Sequence, residues 1–354
     1  MLGDRIRQAR YLRGLSLRAL AERAGLVSAQ AISNYETGKD TPSSGVLLGL
    51  ADALSVPLDY FFRSVSVQLG EPAYRKHCKL SKSDMAELEC RVEETVERHV
   101  EAQSLFDPGP TPRFAAPNGV SVELRDVKDA EDRANSLREA WNVGSGPIDN
   151  LTELIEDHNV KVVFTEANAL FDGCTYPDGD VPVIVVNCAK PPDRLRFDLA
   201  HELGHLLLRF AGEWSDEAKE DAAHRFAGAF LVPAEAARRE LGDLRKSVGI
   251  LELLRLKEKY GMSMQAWLRR AKDLGIVAPS NYNELYRKLI VRNGYKTREP
   301  GLLPPEGSTR LERLVARAYA DRLISESRGA ELLATTPAEF LRRISGPEPV
   351  SDRA

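Results

Sequence analysis

The amino-acid sequence predicts an α+β protein, mainly α with a small sheet. Three observations carry that reading. Apolar residues recur at helical spacing over most of the 354 positions. Two short runs, 160–164 and 181–186, alternate or run apolar as strands do. Gly- and Pro-bearing breaks punctuate the rest, and no internal repeat is visible.

Taken in order, residues 4–62 read as a compact set of short helices. Ile6, Ala9, Leu12 and Leu15, then Leu17, Leu20, Ala21 and Ala24, keep helical spacing. Ser16 is placed to cap the second helix and Gly25 to close it; Ser28 opens the next, over 29–36, and Gly38 ends it. Thr41-Pro42-Ser43 opens a helix through Leu54, and 56–62 follows. Residues 63–79 read as a connector. A long helix is expected over 80–105, with Met85, Leu88, Val92, Val96 and Val100 on one stripe and glutamates opposite. That stripe suits either a linker helix lying on a neighbouring domain or a short coiled-coil dimer seam. The loop-like run at 107–118 marks a boundary. Helices over 126–142 and 148–158, the two strands, and helices over 192–210 and 215–230 come next. The remainder is helical, interrupted at 299–305.

Composition narrows the function classes. Hydrophobic residues make up 43% and charged residues 29%, enough for a buried core in a soluble chain. A net charge of −4 excludes a globally basic nucleic-acid coat, but a local DNA-reading module needs only local basic residues. Cys78, Cys90, Cys174 and Cys188 form no CxxC pair and suggest neither disulfides nor a cysteine zinc site. The charged, helical start and the lack of any long apolar run lead us to expect a cytoplasmic protein with no membrane partner.

Chemistry concentrates at residues 201–205, His-Glu-Leu-Gly-His. In a helix, positions four apart share a face, so His201 and His205 can aim nitrogens at one ion. Glu202 stands beside that ion as the base that takes a proton from attacking water. Zinc is the cofactor expected. Apolar neighbours, from Phe197 and Leu199 to Leu206–Leu208, give the dry surround that such a site needs. With six histidines in the chain, this spacing inside an apolar helix is not an accident of composition. A third ligand is required, and the residues leave Glu217, Glu220, Asp221 and His224 open.

The run Arg196-Phe-Asp-Leu-Ala-His-Glu-Leu-Gly-His-Leu-Leu207, with Glu220, Ala223, Phe226-Ala227 and Leu231-Val232-Pro233, resembles the ImmA/IrrE family of metallopeptidases. The resemblance extends over about residues 125–280. It implies a gluzincin-like zinc endopeptidase domain whose usual targets are helix-turn-helix repressors. It also implies Glu220 as third ligand. The family's usual asparagine is His224 here, which makes His224 a candidate for holding a ligand in place rather than binding the ion.

A supporting helix, a tight turn and a capped second helix are what reading the DNA major groove requires. Leu17 to Gly25, then Ser28 to Lys39, fit that plan and resemble Cro/C1 (XRE) regulators over residues 4–62. Gln30, Ser33 and Asn34 would face the groove, with Ser28 at the helix start, and Arg18 and Lys39 would meet phosphate. Leu17 replaces the family's usual glutamine, and an extra residue sits in the turn. Residues 1–62 hold seven Lys or Arg against six Asp or Glu, nearly balanced.

The expected organisation is therefore a helix-turn-helix domain (1–66), a linker and connecting helix (67–122), a zinc peptidase domain (123–280) and a C-terminal helical extension (281–354). Cys174 and Cys188 are candidates for a thiolate latch on the ion, and Tyr176 or His224 for stabilising an oxyanion. The expected role is a regulator, a homodimer on double-stranded operator DNA, that cleaves a repressor protein or itself. The alternative is an operator-binding or antitoxin-like repressor whose second domain senses a ligand or binds a partner toxin without proteolysis.

Overall fold

The computed structural model describes residues 2–63, 67–73, 80–107, 114–167, 171–179 and 181–346. Cys78, most of the 63–79 connector and the centre of the 107–118 loop lie outside the described residues. The helices are α1 (Leu2–Leu12), α2 (Leu17–Ala24), α3 (Ala29–Glu36), α4 (Ser44–Leu54), α5 (Lys82–Ser104), α6 (Asp129–Ala140) and α7 (Leu151–Asp157). After a three-stranded sheet come α8 (Pro192–Leu207), α9 (Asp216–Leu231), α10 (Ala234–Leu241), α11 (Ile250–Tyr260), α12 (Met264–Asp273) and α13 (Pro279–Leu285). The last are α14 (Arg310–Ala320), α15 (Glu326–Leu332) and α16 (Pro337–Ile344). A 3₁₀ turn spans Leu58–Phe62 and a π-helical segment spans Tyr286–Val291.

Packing divides the chain into two units that do not follow sequence order. One comprises Met1–Leu69, Lys79–Thr111 and Leu311–Ala354; the other comprises Gly70–Cys78 and Pro112–Arg310.

In the first unit, hydroxyl caps set the helix starts. Ser16, Ser28 and Ser43 each accept from the backbone N–H three residues on, relieving donors that a helix N-terminus leaves unpaired. Gly25 adopts φ 65° and ends α2 in the left-handed region. Ile6, Leu20, Ile32, Leu47, Leu50 and Leu54 close over one core. Two buried ion pairs lock it: Arg10 grips Glu36 through Nε at 2.6 Å and Nη2 at 2.8 Å, and Arg5 Nη1 reaches Glu97 at 2.6 Å. The second pair ties α1 to α5. Met85, Leu88, Val92 and Val96 on α5 are all buried within the single chain, and α5 packs on α1 and α15. The stripe is thus covered without a second copy, which favours the packed-helix reading over a coiled-coil seam. The C-terminal helices share a small core of Ala102, Val315, Ala330, Leu332 and Phe340.

In the second unit, the strands are β1 (Lys161–Thr165), β2 (Gly173–Tyr176) and β3 (Val183–Asn187), in sheet order β1-β3-β2. β1 runs parallel to β3, and β2 runs antiparallel to it from the edge. β3 is buried at every position. The sheet and α6 to α9 enclose the largest core, with Leu199, Leu203, Phe226 and Phe230 fully buried. Buried charges pin α8 at its start: Asp193 accepts from Lys257 Nζ at 3.1 Å, and Arg196 meets Glu306 at 3.0 Å. No helix among the described residues is long and apolar enough to cross a membrane.

Candidate metal centre

Two helices build the site. His201 and His205 lie on the last two turns of α8, and Glu220 lies in the second turn of α9. The two histidine Nε2 atoms stand 2.9 Å apart; Glu220 Oε2 is 3.1 Å from His201 Nε2, and Oε1 is 3.3 Å from His205 Nε2. Bonds of about 2.0–2.1 Å to a tetrahedral ion put neighbouring ligand atoms about 3.3 Å apart. The two imidazole nitrogens and the Glu220 carboxylate, which turns one oxygen to each, thus converge at separations close to those that ligands of one zinc ion would take. Among the described residues, His201, His205 and Glu220 are the one group of three such donors that converges in this way.

Close helix packing makes that convergence possible. Gly204 sits where a Cβ would meet Phe226 Cδ1 at 3.1 Å and Ala223 Cα at 3.4 Å. Without a side chain there, α9 can approach α8 closely enough for Glu220 to reach both imidazoles.

The electrostatics favour a ligand set. Burial holds the His201 imidazole down to about 4, so it is neutral near pH 7 and offers a lone pair. Burial pulls the Glu220 carboxyl upward, yet hydrogen bonds with His201 and His205 prevail and hold it well below the usual carboxylate range. Imidazole nitrogens facing a carboxylate make a donor set that zinc takes.

Glu202 points to the sheet side of α8. Its carboxylate accepts from Thr175 Oγ1 at 2.8 Å, and it is almost fully buried. Burial pushes its carboxyl up to about 7, against the pull of His205 and the Thr175 hydrogen bond. Sequence reading missed Thr175. Its role comes from β2 lying beside α8, a contact between residues 27 apart that no local pattern announces. Lys190 was also missed; it bridges Asp172 and Asp198, the latter at 2.6 Å, one turn before His201.

His224 does not join the three donors. Its Nδ1–H donates to the Glu220 carbonyl at 2.8 Å, and its ring lies edge-on to His201 with centroids 4.3 Å apart. Glu217 and Asp221 stay outside the group as well, and so do Cys174, which is buried, and Cys188, which is exposed. Alternation along β2 puts Cys174 and Tyr176 on the face opposite Thr175.

In the N-terminal unit, Arg18, Ser28, Gln30 and Lys39 are exposed and Ser33 and Asn34 half-buried. Gln30 Nε2 donates to Asn34 Oδ1 at 3.1 Å, so the two amides hold one another on the outer face of α3. Ser28 Oγ is engaged as the cap of α3, accepting from Ala31 N at 3.2 Å. Four residues, 25–28, join α2 to α3, and Leu26 among them is exposed.

Fold and site together define a helix-turn-helix domain combined with a domain carrying a zinc-peptidase-like donor set. Comparison with known proteins gives the same pairing. Residues 6–61 match the helix-turn-helix family HTH_3, and residues 155–272 match the IrrE N-terminal-like domain, Peptidase_M78. The chain thus carries a helix-turn-helix domain of the XRE type ahead of an IrrE/ImmA-like Peptidase_M78 domain. A transcriptional regulator from the ATPase CF(0) region of Rhodospirillum rubrum, itself uncharacterised, is 41% identical over 73 residues, which cover 21% of this chain and 65% of that protein. A solved structure of Bacillus thuringiensis PlcR, in complex with the peptide PapR7 and DNA, aligns over 97% of this chain and 95% of that one. Its 12% identity and TM-score of 0.17 are too low to establish a shared fold.

Proposed function

We propose that this chain is a DNA-binding transcriptional regulator whose second domain is a zinc-dependent endopeptidase that cuts a protein, a helix-turn-helix repressor or a copy of itself. The observation that carries the reading is the convergence of His201, His205 and Glu220 beside a buried Glu202. Zinc held by those three residues would supply Lewis acidity and lower the pKa of water in its open position to about 7. The remaining chemistry belongs to the chain. Thr175 holds Glu202 Oε2, which leaves Oε1 to take the proton of the attacking water. The water oxygen bonds to the amide carbon, the C–N bond breaks, and the proton on Glu202 passes to the departing nitrogen. His224 holds the His201 ring and the Glu220 backbone in place.

On the DNA side, Gln30 and Asn34 suit adenine edges, Ser33 lies beside them, and Arg18 and Lys39 suit phosphate. Helix-turn-helix domains read two half-sites, so the operator-bound form is a homodimer. The decisive experiment incubates the zinc-loaded chain with candidate helix-turn-helix repressors, alongside the Glu202→Gln variant. Cleavage by the native chain alone is the expected result. If both or neither cut, the second domain is not a Glu202-dependent peptidase, and a sensor or partner-binding role takes its place.

A further inference from the structure

β2 is an edge strand, yet its outer edge is not bare. The Gly70 N–H donates to the Asp178 carbonyl at 3.0 Å, and the Ala73 N–H donates to the Thr175 carbonyl at 2.7 Å. Ala73 and Thr175 form an antiparallel bridge. The two bonds lie three residues apart on each segment, whereas ladder bonds of a regular antiparallel pair recur every second residue, so the segment meets this edge through one bridge and one further backbone bond rather than as a regular strand. Residues 70–73 therefore cover the outer edge of β2 at Thr175 and the chain just beyond it at Asp178. They do so beside the proposed base, because Thr175 accepts from Ala73 through its carbonyl and donates to Glu202 through its hydroxyl.

Two features make this occupant specific and yet displaceable. At position 70 the backbones come so close that a Cβ would lie 2.5 Å from the Asp178 carbonyl oxygen, so a residue larger than glycine cannot keep the pairing. Between the two bonds, Pro72 and Pro177 lack N–H groups, so the ladder cannot fill in. A segment held by so few bonds, and tethered to the same chain, competes mainly through its effective concentration, which is in the millimolar range for a short tether.

We propose that residues 70–73 are a tethered, displaceable resident of the outer edge of β2 that keeps this edge from other extended segments. An incoming segment pairs its backbone with β2 only by displacing them. The inference rests on the peptidase reading for its meaning, since it makes access to the site conditional on release of the chain's own segment. The segment directly follows the helix-turn-helix domain in sequence.

The test uses the full chain in the Glu202→Gln background, so that nothing is cut. A fluorophore-labelled synthetic peptide of residues 67–73 is titrated by anisotropy against that chain and against chains also carrying Gly70→Val or Ala73→Pro. The first substitution collides with Asp178; the second removes the N–H that bonds Thr175. Binding at least tenfold tighter to both released chains is expected, and equal affinity across the three overturns the proposal. Hydrogen exchange on the unsubstituted chain covers the case in which a variant does not fold. There the Gly70 and Ala73 amides exchange slowly and lose protection when the peptide is added in excess; free-chain exchange rates at both overturn the proposal. Neither readout needs catalysis, so loss of the peptidase reading and loss of the docking edge are separate results.

Discussion

Replacing Gly204 with alanine tests whether the approach of α9 to α8 creates the metal centre. In a free helix, glycine to alanine stabilises by about 1 kcal/mol. Here the new methyl would stand 3.1 Å from Phe226 Cδ1, and Phe226 is fully buried with nowhere to swing. Overpacking of this kind costs about 1–3 kcal/mol. The net is a destabilisation of up to about 2 kcal/mol, or a Tm lower by a few degrees for a domain of this size. The same displacement moves Glu220 away from His201 and His205, and small misplacements around a metal site lower affinity by roughly 10–100-fold. Gly228→Ala on α9 is the control, because its methyl would meet nothing nearer than Arg270 Cδ at 3.5 Å. Calorimetry and zinc competition against a chelator should show Gly228→Ala stabilised with unchanged affinity, and Gly204→Ala weakened in both. A Gly204→Ala chain that gains stability and binds zinc as before would refute the packing argument.

Three further outcomes follow from the first unit. Glu36→Gln strands the Arg10 guanidinium, both side chains being under 10% exposed, and should cost about 3–5 kcal/mol in urea unfolding; an Arg10→Met, Glu36→Leu double variant should recover most of it. Burial, with Glu97 and Glu89 adding to it, pushes the Glu93 carboxyl from 4.5 up to about 7. A raised carboxyl favours the fold while protonated, so stability is fully present below about pH 4.5 and falls as pH rises through about 7. After allowance for solvent screening the loss is on the order of 1–2 kcal/mol, and Glu93→Gln should abolish that slope in denaturation curves. On operator DNA, Gln30→Ala or Asn34→Ala should narrow the gap between specific and scrambled sequence by about 1–3 kcal/mol. Arg18→Ala or Lys39→Ala should instead weaken both equally and reduce the salt slope by about 1 in anisotropy titrations.

What the sequence disclosed was mostly local. Helical period put His201 and His205 on one face, and short-range capping placed Ser16, Ser28 and Gly25 at helix ends, where they stand. Element bounds came within a few residues; the motif helix, expected to 210, ends at Leu207. β2 was not foreseen, because Gly-Cys-Thr-Tyr is four residues long and carries no alternating pattern. Residues alone left four candidates for the third donor. Which residue of α9 faces α8 depends on how closely the helices cross, and that is set by Gly204 against Ala223 and Phe226. Thr175, Lys190 and the pairing of residues 70–73 with β2 come from tertiary contacts, as does the association of the C-terminal helices with α5.

Everything proposed for the second domain requires that His201, His205 and Glu220 hold one zinc ion. X-ray absorption at the zinc edge of the loaded chain measures this directly. Two imidazole nitrogens and a carboxylate oxygen at about 2.0–2.2 Å, completed by a light atom from solvent, are the expected result. A sulfur neighbour at about 2.3 Å, or fewer than two imidazoles, would contradict it.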